Sequence, residues 1–301
     1  MPWTGELIAI GTVLCWTISV QFFEAASKKI GAAAVNIIRL TVALILFSFL
    51  LFFRHGYILP VQFPAHAWFY LSCSGIIGFF IGDIFLFKAL VEIGPRVTML
   101  IFSLSAPTAA IIGWSFLNEN YILHQWIGMF VTLFGVGIVI LEKNQKTSTL
   151  KIRNISLKGV LFGFGAMSGQ AVGYILSKIG TQTESGYLDA FASTQIRALA
   201  AVLCFLVFFT VTGKWGKVKT ALKDTRAVLF TATGSFFGPF LGVSLSLMVL
   251  HYLTTGVAST FLSLVPIFII PFSIFLHKEH VSIRAVAGAV TAVFGIYLLM
   301  V

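Results

Sequence analysis

The chain has 301 residues, 58% of them hydrophobic and only 10% charged, with a formal net charge of +10. A soluble domain carries about 25% charged residues, which excludes a water-soluble fold here. Apolar runs close to the ~20 residues needed to cross a bilayer fill the chain, so the positive balance reads as loop charge, not as a nucleic-acid footprint.

Ten spans are predicted, over residues 5–24, 31–53, 67–91, 95–118, 123–141, 157–177, 188–212, 227–251, 256–277 and 281–301. The first is expected to be retained: Met1 to Leu7 holds no Lys or Arg, unlike the start of a signal peptide. It carries Trp16 and a polar stripe of Thr17, Gln21 and Glu24, which a purely lipid-facing helix does not need and which suits a cavity or a helix contact. Glu24 also stands four residues before Lys28, the favourable order for a surface pair. The second span places Arg39 about nine residues in.

The third span holds a small stripe, Gly75, Gly78 and Gly82, followed by Asp83. At 1.5 Å per residue Asp83 lies roughly 6 Å from the midplane. A carboxylate there is costly unless paired, hydrated or protonated, and desolvation moves its pKa toward the range a proton-coupling group needs. The alternative is a fixed helix–helix bond. Lys88, five residues on and about 140° around the helix, diverges from it and reads as a snorkelling residue.

The fourth span contains Ser103, Ser105 and Pro107 and ends at Glu119; the ninth contains Ser259, Ser263 and Pro266 and ends at Glu279. Each proline removes a backbone donor, so both mark helix bends in spans that line a cavity or pack within protein. Gly163, Gly165, Gly169 and Gly173 prepare the sixth helix for close approach, and Gln170 and Tyr174 give it a polar face. The seventh span holds Arg197; the eighth holds Ser244, with His251 seven residues later on the same face as a surface residue or proton relay. Cys15, Cys73 and Cys204 all fall in spans and read as buried thiols.

The halves repeat. Ser19 and Gln21 align with Ser168 and Gln170, and Lys29-Ile30-Gly31 with Lys178-Ile179-Gly180. Gly78, Phe80, Gly82, Leu90, Val97, Ser103 and Leu104 recur 160 residues later as Gly238, Phe240, Gly242, Leu250, Val257, Ser263 and Leu264. Pro107 returns at Pro266, Glu119 at Glu279, Gly128 at Gly288 and Gly135 at Gly295; Asp83 aligns with Val243. Fifteen of the twenty Lys and Arg fall in odd-numbered loops, two (Arg54, Lys178) in even ones and three (Arg39, Lys88, Arg197) in spans. The positive-inside rule then places odd loops in the cytoplasm and both termini outside. Five spans per copy invert the second copy, so the fold expected is an all-α integral membrane protein: ten transmembrane helices as two inverted five-helix repeats, residues 1–142 and 157–301, joined by a cytoplasmic linker, 143–156. Inverted repeats are a mark of alternating-access carriers. Symmetry-related depths suggest cross-repeat pairs Arg197–Glu119 and Arg39–Glu279, read either as alternating gates or as structural clamps.

Trp16, the arginines in Arg39-Leu40-Thr41-Val42-Ala43 and Arg197-Ala198-Leu199-Ala200-Ala201, Lys88-Ala89-Leu90, Pro107, Leu117 to Glu119 and Gly128 to Gly135 together resemble the EamA-type family of the drug/metabolite transporter superfamily. The resemblance covers nearly the whole chain and implies ten helices in two inverted repeats moving small organic solutes, often by secondary transport. Members commonly have a basic N-terminus and a basic loop after the second span. This chain has neither, which agrees with the reversed orientation. Gly165 stands where the second copy would repeat Trp16.

The leading function is therefore a secondary transporter of amino acids, metabolites or drug-like compounds in the bacterial inner membrane. Trp16, Thr17, Gln21, Asp83, Gln170, Tyr174 and Ser244 are expected to bind substrate, and Asp83 and His251 are candidates for proton coupling. A membrane-embedded enzyme and a passive channel are the alternatives. Against an enzyme, the chain has no His-Glu-x-x-His run and no paired acids or clustered His for a metal. No cofactor and no nucleic acid are expected; the partners are a small-molecule substrate and the bilayer, and a monomer is compatible with this reading.

Overall fold

The computed structural model describes residues 3–141, 156–184, 186–277 and 282–300, and these are almost wholly helical. That follows from the solvent: in hydrocarbon every backbone N–H and C=O must find a partner within the segment, and a helix supplies one. α1 (Thr4–Ile30) and α2 (Ala32–His55) are separated by Gly31 alone, at φ +79, a conformation that costs glycine little. α3 (Ala65–Ser74) leads into an eight-residue π segment, Gly75–Gly82, and then α4 (Asp83–Ser103). α5 (Ser105–Phe116) and α6 (Leu123–Leu141) follow.

In the second half α7 (Leu157–Thr181) is followed by a small antiparallel hairpin, β1 (Gln182–Thr183) and β2 (Gly186–Tyr187), pairing Gln182 with Tyr187. Then come α8 (Ala190–Val211), α9 (Trp215–Ala221) and α10 (Thr225–Ser235). A second eight-residue π segment, Phe236–Val243, joins α10 to α11 (Ser244–Val249). α12 (Thr255–Leu262), α13 (Val265–His277) and α14 (Ile283–Met300) complete the order.

Eight stretches among the described residues are long and apolar enough to cross a membrane: Thr4–Ile30, Ala32–His55, Val97–Phe116, Leu123–Leu141, Leu157–Thr181, Ala190–Val211, Thr225–Val249 and Ile283–Met300. This is an integral membrane protein. The third predicted span is absent from that set, and the ninth corresponds to a shorter apolar stretch, Thr255–Pro271. Helical backbone also continues through residues 92–94, where the sequence predicts a loop between the third and fourth spans. The interruption falls instead at Leu104, and in the second half at Ser263 and Leu264. Each lies within four residues upstream of Pro107 or Pro266, where a proline ring collides with the carbonyl of residue i−4.

The chain forms two compact units, and neither is one of the sequence halves. The first comprises Met1–Phe80 with Leu176–Tyr252, the second Ile81–Ile175 with Leu253–Val301. In the first, α2 packs on α8 and α1 on α10, the second π segment and α11. Phe23 and Ser19 of α1 lie over Gly234 and Gly238, where an added Cβ would stand 2.7 Å and 3.2 Å from them. In the second unit α5 packs on α12 and α6 on α14. Gly163 and Gly165 seat Ile101 and Phe85 of α4, as the small stripe of the sixth span predicts; a Cβ on Gly165 would lie 2.5 Å from the Phe85 ring.

The α6–α14 contact is backbone to backbone. A Cβ on Gly135 would fall 2.4 Å from Ala292 N and 2.5 Å from Gly288 O, and one on Gly295 would fall 2.4 Å from Thr132 N. Gly128 likewise meets Gly295 O, at 2.8 Å. Gly128 faces Gly295 while Gly135 faces Gly288, so the helices run antiparallel. Exchanging each glycine for its sequence counterpart (Gly128 with Gly288, Gly135 with Gly295) turns one contact into the other, the signature of an isologous pairing. Without a hydrophobic driving force between helices in lipid, such close approach is what packing attraction requires.

Candidate functional site

The polar residues singled out in the sequence divide between the two units. In the first unit, Trp16 is half-buried with its indole edge on the second π segment; a Cβ on Gly242 would lie 2.3 Å from Trp16 Cδ1. Thr17 is fully buried and donates its hydroxyl hydrogen to the Val13 carbonyl at 2.8 Å, an intrahelical bond that satisfies it locally. Gln21 is half-buried, and Glu24 forms the predicted exposed pair with Lys28 at 2.6 Å. Ser244 is fully buried and its Oγ has no hydrogen-bond partner among the described residues. A buried hydroxyl without a partner is costly in an apolar interior, which sets Ser244 apart from the serines whose hydroxyls are bonded within their helices.

Asp83, Gln170 and Tyr174 belong to the second unit. Asp83 is half-buried and Tyr174 is 3% exposed; Gln170 and Tyr174, four residues apart on α7, share a face. The three aspartates of the chain have distinct local settings. Asp189 caps α8 by accepting the Ala192 N–H at 2.9 Å, and Asp224 caps α10 by accepting the Ala227 N–H at 2.9 Å. Asp83 is the remaining one, and it is the first residue of α4, directly after the first π segment.

The π segments are the feature sequence reasoning missed. π helices are rare and arise mostly as single-turn bulges, often at functional sites. Here two occur at places that coincide within one residue when the halves are aligned. Asp83 follows the first and Ser244 follows the second. The sequence repeat pairs Asp83 with Val243; the backbone sets Ser244 at the matching junction. The one signal in the sequence is the glycine spacing, Gly75-x-x-Gly78-x-x-x-Gly82 and Gly234-x-x-x-Gly238-x-x-x-Gly242. The first segment is also where the chain passes from one compact unit to the other, between Phe80 and Ile81.

Glu119 has a role the sequence did not suggest. It is 8% exposed, and its carboxylate accepts the Thr255 N–H at 3.0 and 3.1 Å and the Thr255 hydroxyl at 2.7 Å. The Tyr121 phenol donates to it at 2.5 Å and accepts the Gly256 N–H at 3.0 Å. A carboxylate and a phenol from the α5–α6 connection thus cap the N-terminus of α12, where an anion meets free N–H groups and the positive end of the helix dipole. Burial, then the bond to Glu119, pushes the Tyr121 hydroxyl well above its usual pKa, which keeps its proton in place. Gly113 makes room: a Cβ there would sit 2.3 Å from Glu119 Oε2.

The arginines are also accommodated. Arg197 is 3% exposed with its guanidinium 4.5 Å from the Phe79 ring centroid, and Arg39 lies 5.5 Å from that of Phe23. The partner expected for Arg39, Glu279, lies outside the described residues; Arg197 and Glu119 fall in different units. His251 lies two residues past the apolar stretch Thr225–Val249, stacked on Tyr187 of the hairpin at 4.3 Å and 10°. Its Nε2 is buried with no partner among the described residues. Burial, reinforced by Lys178 and opposed by Asp189, pushes its pKa down to about 4. No group of three or more His, Cys, Asp or Glu suited to a metal occurs among the described residues.

These features define a polytopic helical membrane protein whose halves supply matched helices and matched π segments. A family model described as the EamA-like transporter family matches residues 3–141 and again 157–301. The chain belongs to that family, and so to the drug/metabolite transporter superfamily. No curated protein matches it. A solved structure titled only as the crystal structure of a protein aligns over 98% of this chain and 97% of its own, at a TM-score of 0.66 and 12% identity, a likeness of fold.

Proposed function

We propose that the chain is a secondary transporter that moves small organic solutes (amino acids, metabolites or drug-like compounds) by alternating access. The observation that carries the reading is the pair of π segments, each leading into a polar residue, Asp83 in one half and Ser244 in the other. A π bulge is one extra residue in an α helix. Converting it to α turns the following residues by about 100° and moves them about 1.5 Å, enough to carry a side chain off one helix face. Joints of this kind beside Asp83 and Ser244 suit a carrier that must change the exposure of its polar groups. A passive channel has no need of paired joints, and an enzyme would need a reactive constellation instead.

In this reading ten spans cross the inner membrane of a bacterium, with the third and ninth added to the eight long apolar stretches. Residues 1–142 and 157–301 are the two inverted copies, and the antiparallel, isologous α6–α14 contact supports the inversion. Odd loops face the cytoplasm and both termini lie outside. Substrate-binding residues are Ser244, Trp16 and Gln21 in the first unit and Asp83, Gln170 and Tyr174 in the second; Thr17, its hydroxyl spent within α1, assists by position. Asp83 couples transport to a proton gradient, and His251 contributes at the membrane edge.

The test is reconstitution in liposomes and uptake of a metabolite panel with and without a pH gradient. Gradient-stimulated flux of at least one solute is expected. Absence of flux for every solute would overturn the carrier reading, and cysteine labelling that placed the Lys143 to Lys158 segment outside would overturn the orientation alone.

A further inference from the structure

The connection between α8 and α10 is strongly basic. Lys214, Lys217, Lys219, Lys223 and Arg226 are all exposed, within a segment of thirteen residues. No ion pair engages any of them among the described residues. Asp224 is the segment's lone acid, and it is committed to capping α10. The aligned connection in the first half, between α2 and α3, has Arg54 as its one basic residue, and that arginine is paired with Asp189 at 3.1 Å. The positive-inside rule expects a basic loop on this side of the membrane, but it does not say what the five cations meet, and no acidic side chain among the described residues pairs with them.

Their mounting is specific. α9 buries Val218 and Ala221, three residues apart and 6% and 3% exposed, and packs on α1 and α2. Lys217 and Lys219 are left on its outer surface. Trp215 anchors the start, its indole donating to Thr210 Oγ1 at 3.1 Å beside the Phe209 ring. Lys214 and Arg226 bracket the segment, each over a ring of the adjoining span, Phe208 at 5.4 Å and Phe230 at 5.5 Å. Those spans end at Val211 and begin at Thr225, so the cations lie within a turn or two of the membrane boundary. Exposed apolar side chains accompany them, Leu222 within the segment and Val207, Val211 and Leu229 on the adjoining helices.

We propose that α9 and its flanks form a binding shelf for the headgroups of anionic phospholipids in the leaflet they face. Phosphates at the boundary supply the negative charge this shelf lacks, flexible lysines reach them, and the exposed aliphatic side chains receive the acyl chains. Basic clusters beside a membrane span attract anionic headgroups on this basis, and an interfacial Trp is the usual anchor. A free phosphate would match the cations but leave the apolar surface uncovered.

The test uses the full chain in zwitterionic lipid, with Trp fluorescence quenched by brominated phosphatidylglycerol or brominated phosphatidylcholine at equal mole fraction. The Trp215 contribution is taken as the difference from Trp215→Phe. Phosphatidylglycerol should quench Trp215 at much lower mole fraction than phosphatidylcholine. A K217Q/K219Q/K223Q variant should weaken that preference on the order of 100-fold, while the matching Lys→Arg triple keeps it. Equal quenching by the two lipids, or an unchanged preference in the Gln triple with native helicity, would overturn the proposal. Full competition by inorganic phosphate would overturn it too, by identifying a soluble-anion site.

Discussion

Gly135 and Gly137 sit two residues apart on α6, yet alanine should act on them in opposite directions. At Gly135 the new methyl would lie 2.4 Å from Ala292 N and 2.5 Å from Gly288 O, about 1 Å inside an ordinary contact, and both obstacles are backbone. α14 must move away, at a cost of about 1–3 kcal/mol by analogy with overpacked cores. The gain from replacing a helical glycine, up to ~1 kcal/mol, offsets part of this. At Gly137 the nearest atom is the flexible Leu100 Cδ1 at 3.5 Å, so only the gain remains. Thermal unfolding in detergent, followed by far-UV circular dichroism, should show Gly135→Ala melting several degrees below the parent and Gly137→Ala at or above it. Adding Gly288→Ala to Gly135→Ala should cost less than the sum of the single changes, because the first methyl has already parted the helices at that contact. If Gly135→Ala melts with the parent, or the two glycines respond alike, the backbone-contact account of α6 and α14 is wrong.

Asp83→Asn should abolish gradient-driven uptake while sparing solute exchange; unchanged gradient-driven uptake would remove Asp83 from coupling. Deleting Ile77, within the first π segment, should be tolerated for folding because it returns the bulge to α register, but should slow transport at least tenfold; a deletion that unfolds the protein, or leaves transport intact, contradicts the joint. Tyr121→Phe removes the donor to Glu119 and the acceptor of the Gly256 N–H, at an expected cost of about 1–3 kcal/mol, read from the same melts. His251 stays neutral in the folded protein down to about 4, whereas the unfolded chain takes up a proton near 6.5. Unfolding therefore binds a proton between those values, and stability should decline as pH falls from about 6.5 to about 4 and flatten below. A melting profile whose slope in that window is the same in His251→Phe would refute the assignment.

Much of the architecture was legible because bilayer physics is blunt. Apolar length locates spans, as α1, α2 and α8 show, and the helix breaks at Leu104 and at Ser263 and Leu264 lie just upstream of Pro107 and Pro266. Gly128, Gly135, Gly288 and Gly295 recurred in sequence because one antiparallel contact uses each of them. What escaped was backbone register. A π bulge adds one residue without changing composition, so Gly75 to Gly82 reads as ordinary helix, and only coordinates reveal the junction before Asp83. Glu119 escaped for a different reason. Its carboxylate accepts from Thr255 and Tyr121, and a cap built from a remote connection has no fixed spacing to find.

On the carrier reading, the same comparison bears on coupling. The two π segments match in length and place, but the residues after them do not: an acid in one half and a hydroxyl in the other. A serine does not ionise near neutral pH, so the pair can exchange a single proton, at Asp83. Symmetric joints can give the two halves equivalent motions, while one titratable group makes only one of those motions sensitive to pH. Restoring the symmetry tests this directly. Ser244→Asp should add a second pH-sensitive step, with uptake dropping more steeply as the gradient is removed, whereas Asp83→Ser should leave facilitated exchange that ignores the gradient. If Ser244→Asp transports with the parent's pH dependence, Asp83 and Ser244 do not occupy equivalent positions in the cycle, and the matched joints are features of packing alone.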